Sequence, residues 1–193
     1  MLSENQIVDL IQSLAETRPV FHSEADFQHE LAWLIRMRFP AINVRLERPM
    51  PNVGEVDILL HRNGVEFLIE LKYKTLAWAG EFGGEMFSLR SHGADQANRY
   101  AGIKDISRIE ISQKHGCAIF LTNLPRYWSV NPQGNDEQFS IADGRNVVPG
   151  MLNWNNNQND GIQLLGTYHF HWRDYSRLDA DNLFRYLLVM VRP

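Results

Sequence analysis

The sequence predicts an α/β domain built on a mixed central β-sheet flanked by helices. Three observations carry that expectation. Two runs rich in Ile, Leu, Val and Phe, spanning 55–62 and 65–74, flank Asn63-Gly64. An Asn-Gly pair between such runs is the strongest short-range hairpin signal. Apolar residues at helical spacing precede and follow this hairpin. A short apolar run, Cys117 to Thr122, comes after the last helical stretch, so strand, helix, strand reads as a crossover connection, right-handed by rule.

At 193 residues the chain fits one domain, with its core at about 23–122 and further strands and loops at 123–193. An apolar fraction of 44% is enough for a sizeable core. A net charge of −4 and a pI of about 6.0 count against tight, non-specific polyanion binding. They leave room for a local basic groove around an acidic site. The single cysteine, Cys117, excludes an internal disulfide and reads as a small buried hydrophobe. Met1-Leu-Ser-Glu carries no positive leader region, and no 18 consecutive residues are apolar. A cytoplasmic protein with no membrane partner is expected.

Residues 4–16 read as a helix with Ile7, Leu10, Ile11 and Leu14 on one face, ended by Arg18-Pro19. Ser23-Glu-Ala-Asp26 is an N-cap signature, and the helix it opens runs to about Arg38 before Pro40. Its stripe is Phe27, Leu31, Leu34 and Ile35. Glu30, three residues after Phe27 and four before Leu34, falls on the inward face. It either pairs with an arginine such as Arg36 or reaches water, or it belongs to a site. Ile42–Arg48 alternates as a strand, Pro49–Gly54 reads as a loop, and the hairpin follows.

Leu76–Gly93 holds four glycines among Trp78, Phe82 and Phe87. It is either a mobile flap over substrate or a connector packed on the domain. Residues 94–113 are helical, with Ala97, Ala101 and Ile109 as inward candidates. Leu124–Gly161 lacks periodicity, and Asn155-Asn-Asn-Gln-Asn within it reads as an exposed loop. Gln163–Trp172 alternates as a strand, and Phe184–Val191 is a strand or a short helix. His169 and His171 share a strand face but lack a third ligand for zinc.

Period-2 alternation places Glu70 and Lys72 on one face, with Cα atoms roughly 6.5–7 Å apart. The hairpin brings Asp57 beside Glu70. Two carboxylates and an ammonium on a face flanked by apolar residues make a poor core. They make a good holder for a divalent cation next to a water.

An inward helical Glu30, a strand Asp57, a strand Glu70-Leu71-Lys72 and a helical Gln96-x-x-x-Tyr100 stand in that order. The arrangement resembles the PD-(D/E)xK superfamily of restriction-endonuclease-like nucleases, and in particular its uncharacterised bacterial members. The similarity covers roughly 23–122. Val56 stands where the motif's name would have proline.

The resemblance implies a restriction-endonuclease-like fold and a Mg²⁺-dependent nuclease, with Mn²⁺ as a substitute ion. Asp57, Glu70 and the Leu71 carbonyl would bind the metal. Lys72 would orient the attacking water or stabilise developing charge, and Glu30 would complete the acidic cluster. Gln96 and Tyr100 would line the site, and Arg36, Arg38, Arg45, Arg48 and Lys74 could form a phosphate-contacting rim. Nucleic acid, DNA before RNA, is the implied partner, and a homodimer is compatible with the sequence. Two rivals stand beside this reading: a catalytically inactive nuclease-fold module that binds nucleic acid or an assembly, and an unrelated domain whose Asp, Glu and Lys are surface charges.

Overall fold

The computed structural model describes residues 1–129, 131–155 and 161–192. Helix α1 spans Glu4–Thr17 and α2 spans Glu24–Arg38. Strands β1 (Asn43–Met50), β2 (Gly54–Arg62) and β3 (Val65–Lys74) follow, then the short β4 (Trp78–Phe82) and β5 (Glu85–Leu89). Helix α3 (Asp95–Ser112) leads into β6 (His115–Thr122). Beyond it lie 3-10 turns at Pro125–Tyr127 and Glu137–Phe139, then β7 (Asn146–Val147), β8 (Gly150–Leu152), β9 (Ile162–Leu164), β10 (Tyr168–His169), β11 (Trp172–Arg177) and β12 (Leu183–Val191).

Six strands form one mixed sheet in the order β1-β2-β3-β6-β12-β11. Only β3 and β6 run parallel, and α3 lies in the connection between them. Period 2 sorts the sheet's side chains into two cores. Ile58, Leu60, Phe67, Ile69, Leu71, Ile119 and Leu121 pack with α1 and α2. Leu59, Leu68, Ala118 and Phe120 pack with Ile103, Ile106 and Ile109 of α3 and with aromatics of the C-terminal third, including Phe139, Phe170 and Trp172. Burial of both faces explains why β6 is apolar almost throughout.

Ser23 caps α2 as expected, accepting from the main-chain N–H of Asp26, and Ser3 caps α1 in the same way through Gln6. Asn63 and Gly64 both adopt positive φ, 50° and 78°, as a two-residue type I′ turn requires. Cys117 is buried and its thiol is held protonated by burial.

Several expectations are corrected. Pro49 and Met50 belong to β1, pairing with Glu55 and Gly54, so the loop shrinks to a tight turn. The expected strand over 163–172 is three pieces, β9, β10 and the start of β11, on three different sheets. Tyr168, Phe170 and Trp172 are all buried, but against a folded-back backbone in which Phe170 exchanges main-chain bonds with Gly144 and Arg145. Residues 184–191 form strand, not helix, and β12 lies inside the sheet, so the sheet extends well beyond residue 122. Ala97 is exposed. Of the expected polar loop, Asn155 is exposed and 156–159 lie outside the described residues.

The glycine- and aromatic-rich segment is a hairpin, β4–β5, turning at Gly83-Gly84 with φ of 61° and 82°. It packs on the α1–α2 junction. His22 stacks on Phe87 at 4.4 Å, and Glu85 accepts from Arg18 and pairs with His22. That is the packed connector, not a flap over Glu70 and Lys72. No helix among the described residues is long and apolar enough to cross a membrane.

Candidate active site at a break in the sheet

The hairpin ladder between β2 and β3 ends at Ile58–Ile69. On the other side of β2, the pairing with β1 skips the position opposite Asp57 because Glu47 adopts φ of 49°. Asp57 therefore sits at a one-residue gap in the pairing with β1, where β2 has already parted from β3. Its backbone carbonyl accepts instead from Gln28 Nε2 at 2.7 Å, and the same amide donates to Glu47 Oε1 at 2.6 Å. The freed N–H groups of β3 are taken by carboxylates. Leu71 N–H donates to Asp57 Oδ2 and Tyr73 N–H to Glu24 Oε2, both at 2.6 Å.

Glu70 and Lys72 lie on the α3 side of the sheet, and the Asp57 carboxylate sits at the break against the β3 backbone, where Lys72, Asp105 and Glu24 all act on it. Lys72 Nζ lies 2.7 Å from Asp105 Oδ2 and donates to the Leu71 carbonyl at 3.0 Å. Glu70 is fully buried; its Oε2 accepts from Arg108 at 3.1 Å, while its Oε1 has no hydrogen-bond partner among the described residues. Arg108 also donates to the Val53 carbonyl at 2.9 Å and to the Glu55 carbonyl, and lies 3.5 Å from Asp105 Oδ1. Lys72, Asp105 and Arg108 open on a cleft of about 690 Å³, walled by Tyr100 and Lys104 of α3, by Asn52–Gly54 and by Gly161–Leu165.

Burial dominates the electrostatics of the cluster. Burial pushes the Glu70 carboxyl up to about 9, helped by Asp105 and Asp57 and opposed by Arg108 and Lys72. Burial pushes Asp57 up to about 6, against the Leu71 N–H bond and Lys72. Burial also raises Asp105, against Lys72 and Arg108. Burial alone would lower the Lys72 ammonium, but Asp105 outweighs it, with Glu24 and Asp57 adding, and the net shift is upward. Lys72 is thus held charged, fit to orient or stabilise rather than to take a proton.

The residues fit a small hard cation in part. Mg²⁺ takes one or two carboxylates and keeps several waters. Asp57, Glu70 with its unpartnered buried oxygen, and the Leu71 carbonyl, already facing a positive group, make such a set. No three His, Cys, Asp or Glu among the described residues are arranged to hold a metal ion on their own. The histidine pair does not alter that: His169 bonds Asn146, and His171 lies 3.6 Å from Asp143.

The structure corrects the helical contributions. Glu30 lies six residues, about 9 Å and some 240° around the helix, from Glu24. It is half-buried near Tyr175, away from Asp57 and Glu70, and pairs with no arginine among the described residues. The α2 carboxylate beside the site is Glu24, which also pairs with Lys74 at 3.0 Å. Arg36 is exposed and about 18 Å along α2 from Glu24, too far for a shared rim. Arg38 bonds Ser13 and Arg45 bonds the Val44 carbonyl. Gln96 is exposed in the first turn of α3, about 13 Å before Asp105. Tyr100 reaches the cleft wall, its ring 5.1 Å from Phe139 and 5.3 Å from Trp154. The sequence marks Arg108 only as one of several polar residues decorating α3, beside Gln96, Arg99, Tyr100 and Lys104, and does not mark Asp105, because α3 is buried on nearly every side and shows no clean polar face. Their spacing from Ala101, at i+4 and i+7, was the available signal.

No family model matches this chain, and no curated protein or solved structure is similar to it.

Proposed function

We propose that the chain is a Mg²⁺-dependent nuclease with a restriction-endonuclease-like core, hydrolysing phosphodiester bonds of nucleic acid, DNA before RNA. The observation that carries this reading is Glu70: a wholly buried carboxyl group with one unpartnered oxygen, close enough to Asp57 and Lys72 to feel their charges. A surface ion pair does not account for it, because Arg108 satisfies only one of its oxygens, and leaving the other without a partner costs free energy that a cation would recover.

Asp57 and Glu70 would hold the ion, with the Leu71 carbonyl as a third oxygen. A bound Mg²⁺ would supply charge neutralisation at the phosphate and a more acidic water. Lys72, fixed by Asp105, places its ammonium where it can orient the attacking water or meet negative charge as it develops. Lys104, exposed on the cleft wall, and Tyr100 would hold the sugar-phosphate chain.

The test is a cleavage panel on single- and double-stranded DNA and RNA with Mg²⁺ or Mn²⁺. Cleavage is expected to require the metal and to fall by about 10²-fold or more in Asp57→Ala and Lys72→Ala. Activity that survives both substitutions undiminished would sink the assignment. A second reading, a catalytically inactive nuclease-fold binding module, is favoured by one observation: Glu70 and Asp105 already have Arg108 and Lys72 as counter-ions. Nucleic-acid binding without metal-dependent cleavage would select it.

A further inference from the structure

We infer that Arg108 competes with the divalent cation for Glu70, so that loading the site requires the guanidinium to swing out into the cleft. The inference rests on the metal-site reading above. Four contacts place Arg108 where it can act so. Its Nη1 meets Glu70 Oε2 at 3.1 Å and Asp105 Oδ1 at 3.5 Å, its Nε donates to the Val53 carbonyl at 2.9 Å, and its Nη2 donates to the Glu55 carbonyl. A single side chain thus ties α3 to β3 and to the start of β2.

Access decides the direction of movement. Glu70 has no exposed surface and does not line the cleft, whereas Arg108 does line it and keeps a fifth of its side chain exposed. The guanidinium therefore stands between Glu70 and the solvent from which a hydrated cation arrives. The free Oε1 of Glu70 is itself buried, so a hydrated cation coming from the cleft meets the guanidinium first, and two positive charges beside one carboxylate repel each other unless Arg108 moves aside. The cleft beside it, about 690 Å³, is large enough to receive the displaced side chain. There the fork of donors would face Lys104 and any phosphate lying along α3. Filling the metal site would thereby create a phosphate contact, and a substrate phosphate would in turn favour the metal-loaded arrangement.

Isothermal titration calorimetry with MnCl₂ at fixed pH tests this without reference to cleavage. The comparison is wild type against Arg108→Gln, with Asp57→Asn as the control that removes a ligand. Arg108→Gln is expected to bind Mn²⁺ more tightly, on the order of tenfold, because a like charge no longer stands between the ion and the carboxylate. Asp57→Asn is expected to bind more weakly. Arg108 also secures the turn before β2, so circular dichroism must first show that the variant is folded. If it is not, Arg108→Lys, which keeps the charge but loses the fork, decides by the same criterion with a smaller gain.

A residue with only a structural role would leave the affinity unchanged or lower it when replaced. Mn²⁺ binding in both proteins with no tightening overturns the inference alone. Mn²⁺ binding with the expected tightening but no cleavage overturns the nuclease reading alone. No Mn²⁺ binding in either protein overturns both.

Discussion

The two faces of the central sheet are built from the same strands and carry opposite chemistry. Toward α1 and α2, β2 and β3 present Ile58, Leu60, Phe67, Ile69 and Leu71, all buried and all apolar. Toward α3 they present Leu59 and Leu68, then Glu70 and Lys72, met by Asp105 and Arg108, with the Asp57 carboxylate in the gap between the strands. The charged groups begin where the β2–β3 ladder ends. A sheet that loses its hydrogen-bonded neighbour there must satisfy its backbone with side chains, and carboxylates do so while keeping a second oxygen for other work. Both faces pack a core, but only the second interrupts it with buried charge.

Breaking that contrast should have unequal results. The largest effect is expected from replacing the Lys72–Asp105 pair together by Met and Leu. Metal-dependent cleavage should fall by about 10²–10³-fold, while the melting temperature holds or rises, since apolar residues often replace a buried ion pair without loss. A steep fall in melting temperature would show that the pair is structural. Next comes Ile69→Ala on the opposite face. It should cost about 2–5 kcal/mol, a drop on the order of 5–15 °C in melting temperature for a chain of this size, with the residual folded protein still active.

The pH dependence sharpens the contrast further. Glu70 and Asp57 bind their protons more tightly folded than unfolded, at about 9 against 4.5 and about 6 against 3.8. Without added metal, the contribution of these two groups to stability should therefore be full below the unfolded values of 3.8 and 4.5 and be lost as pH rises, through about 6 for Asp57 and on to about 9 for Glu70. Thermal melts of Glu70→Gln should lose the decline between pH 6 and 9 and keep the lower limb. A wild-type curve that rises over that interval would contradict the burial of Glu70. The smallest effect belongs to Arg36→Ala. Exposed and at the far end of α2, it should shift stability by less than about 0.5 kcal/mol and leave cleavage unchanged.

Much of the fold was legible because its signals are local. Ser23 before an acidic first turn, Asn63-Gly64 between apolar runs, and the alternation of Phe67 to Lys74 each specify structure within a few residues. The Asp57, Glu70 and Lys72 grouping followed from that hairpin alone. What was not legible depends on how elements rotate and slide against one another. Choosing Glu24 over Glu30 required knowing where the start of α2 falls relative to β3; a first-turn glutamate otherwise reads as a favourable partner of the helix dipole. Asp105 and Arg108 lie among Ile103, Ile106 and Ile109 on a helix enclosed by sheet and C-terminal loops, so the usual amphipathic contrast vanishes. The folded-back path around Phe170 is set by long-range bonds to Gly144 and Arg145, which no periodicity announces.

The carboxylates that take the Leu71 and Tyr73 N–H groups have one more consequence. Beyond Ile69, β3 would otherwise expose a row of donors to any passing extended peptide, the usual invitation to intermolecular sheet growth. With those donors already engaged by Asp57 and Glu24, a foreign strand finds nothing to pair with and meets two acidic groups instead. The opening in the sheet can therefore stay accessible to small solutes without becoming a seed for self-association.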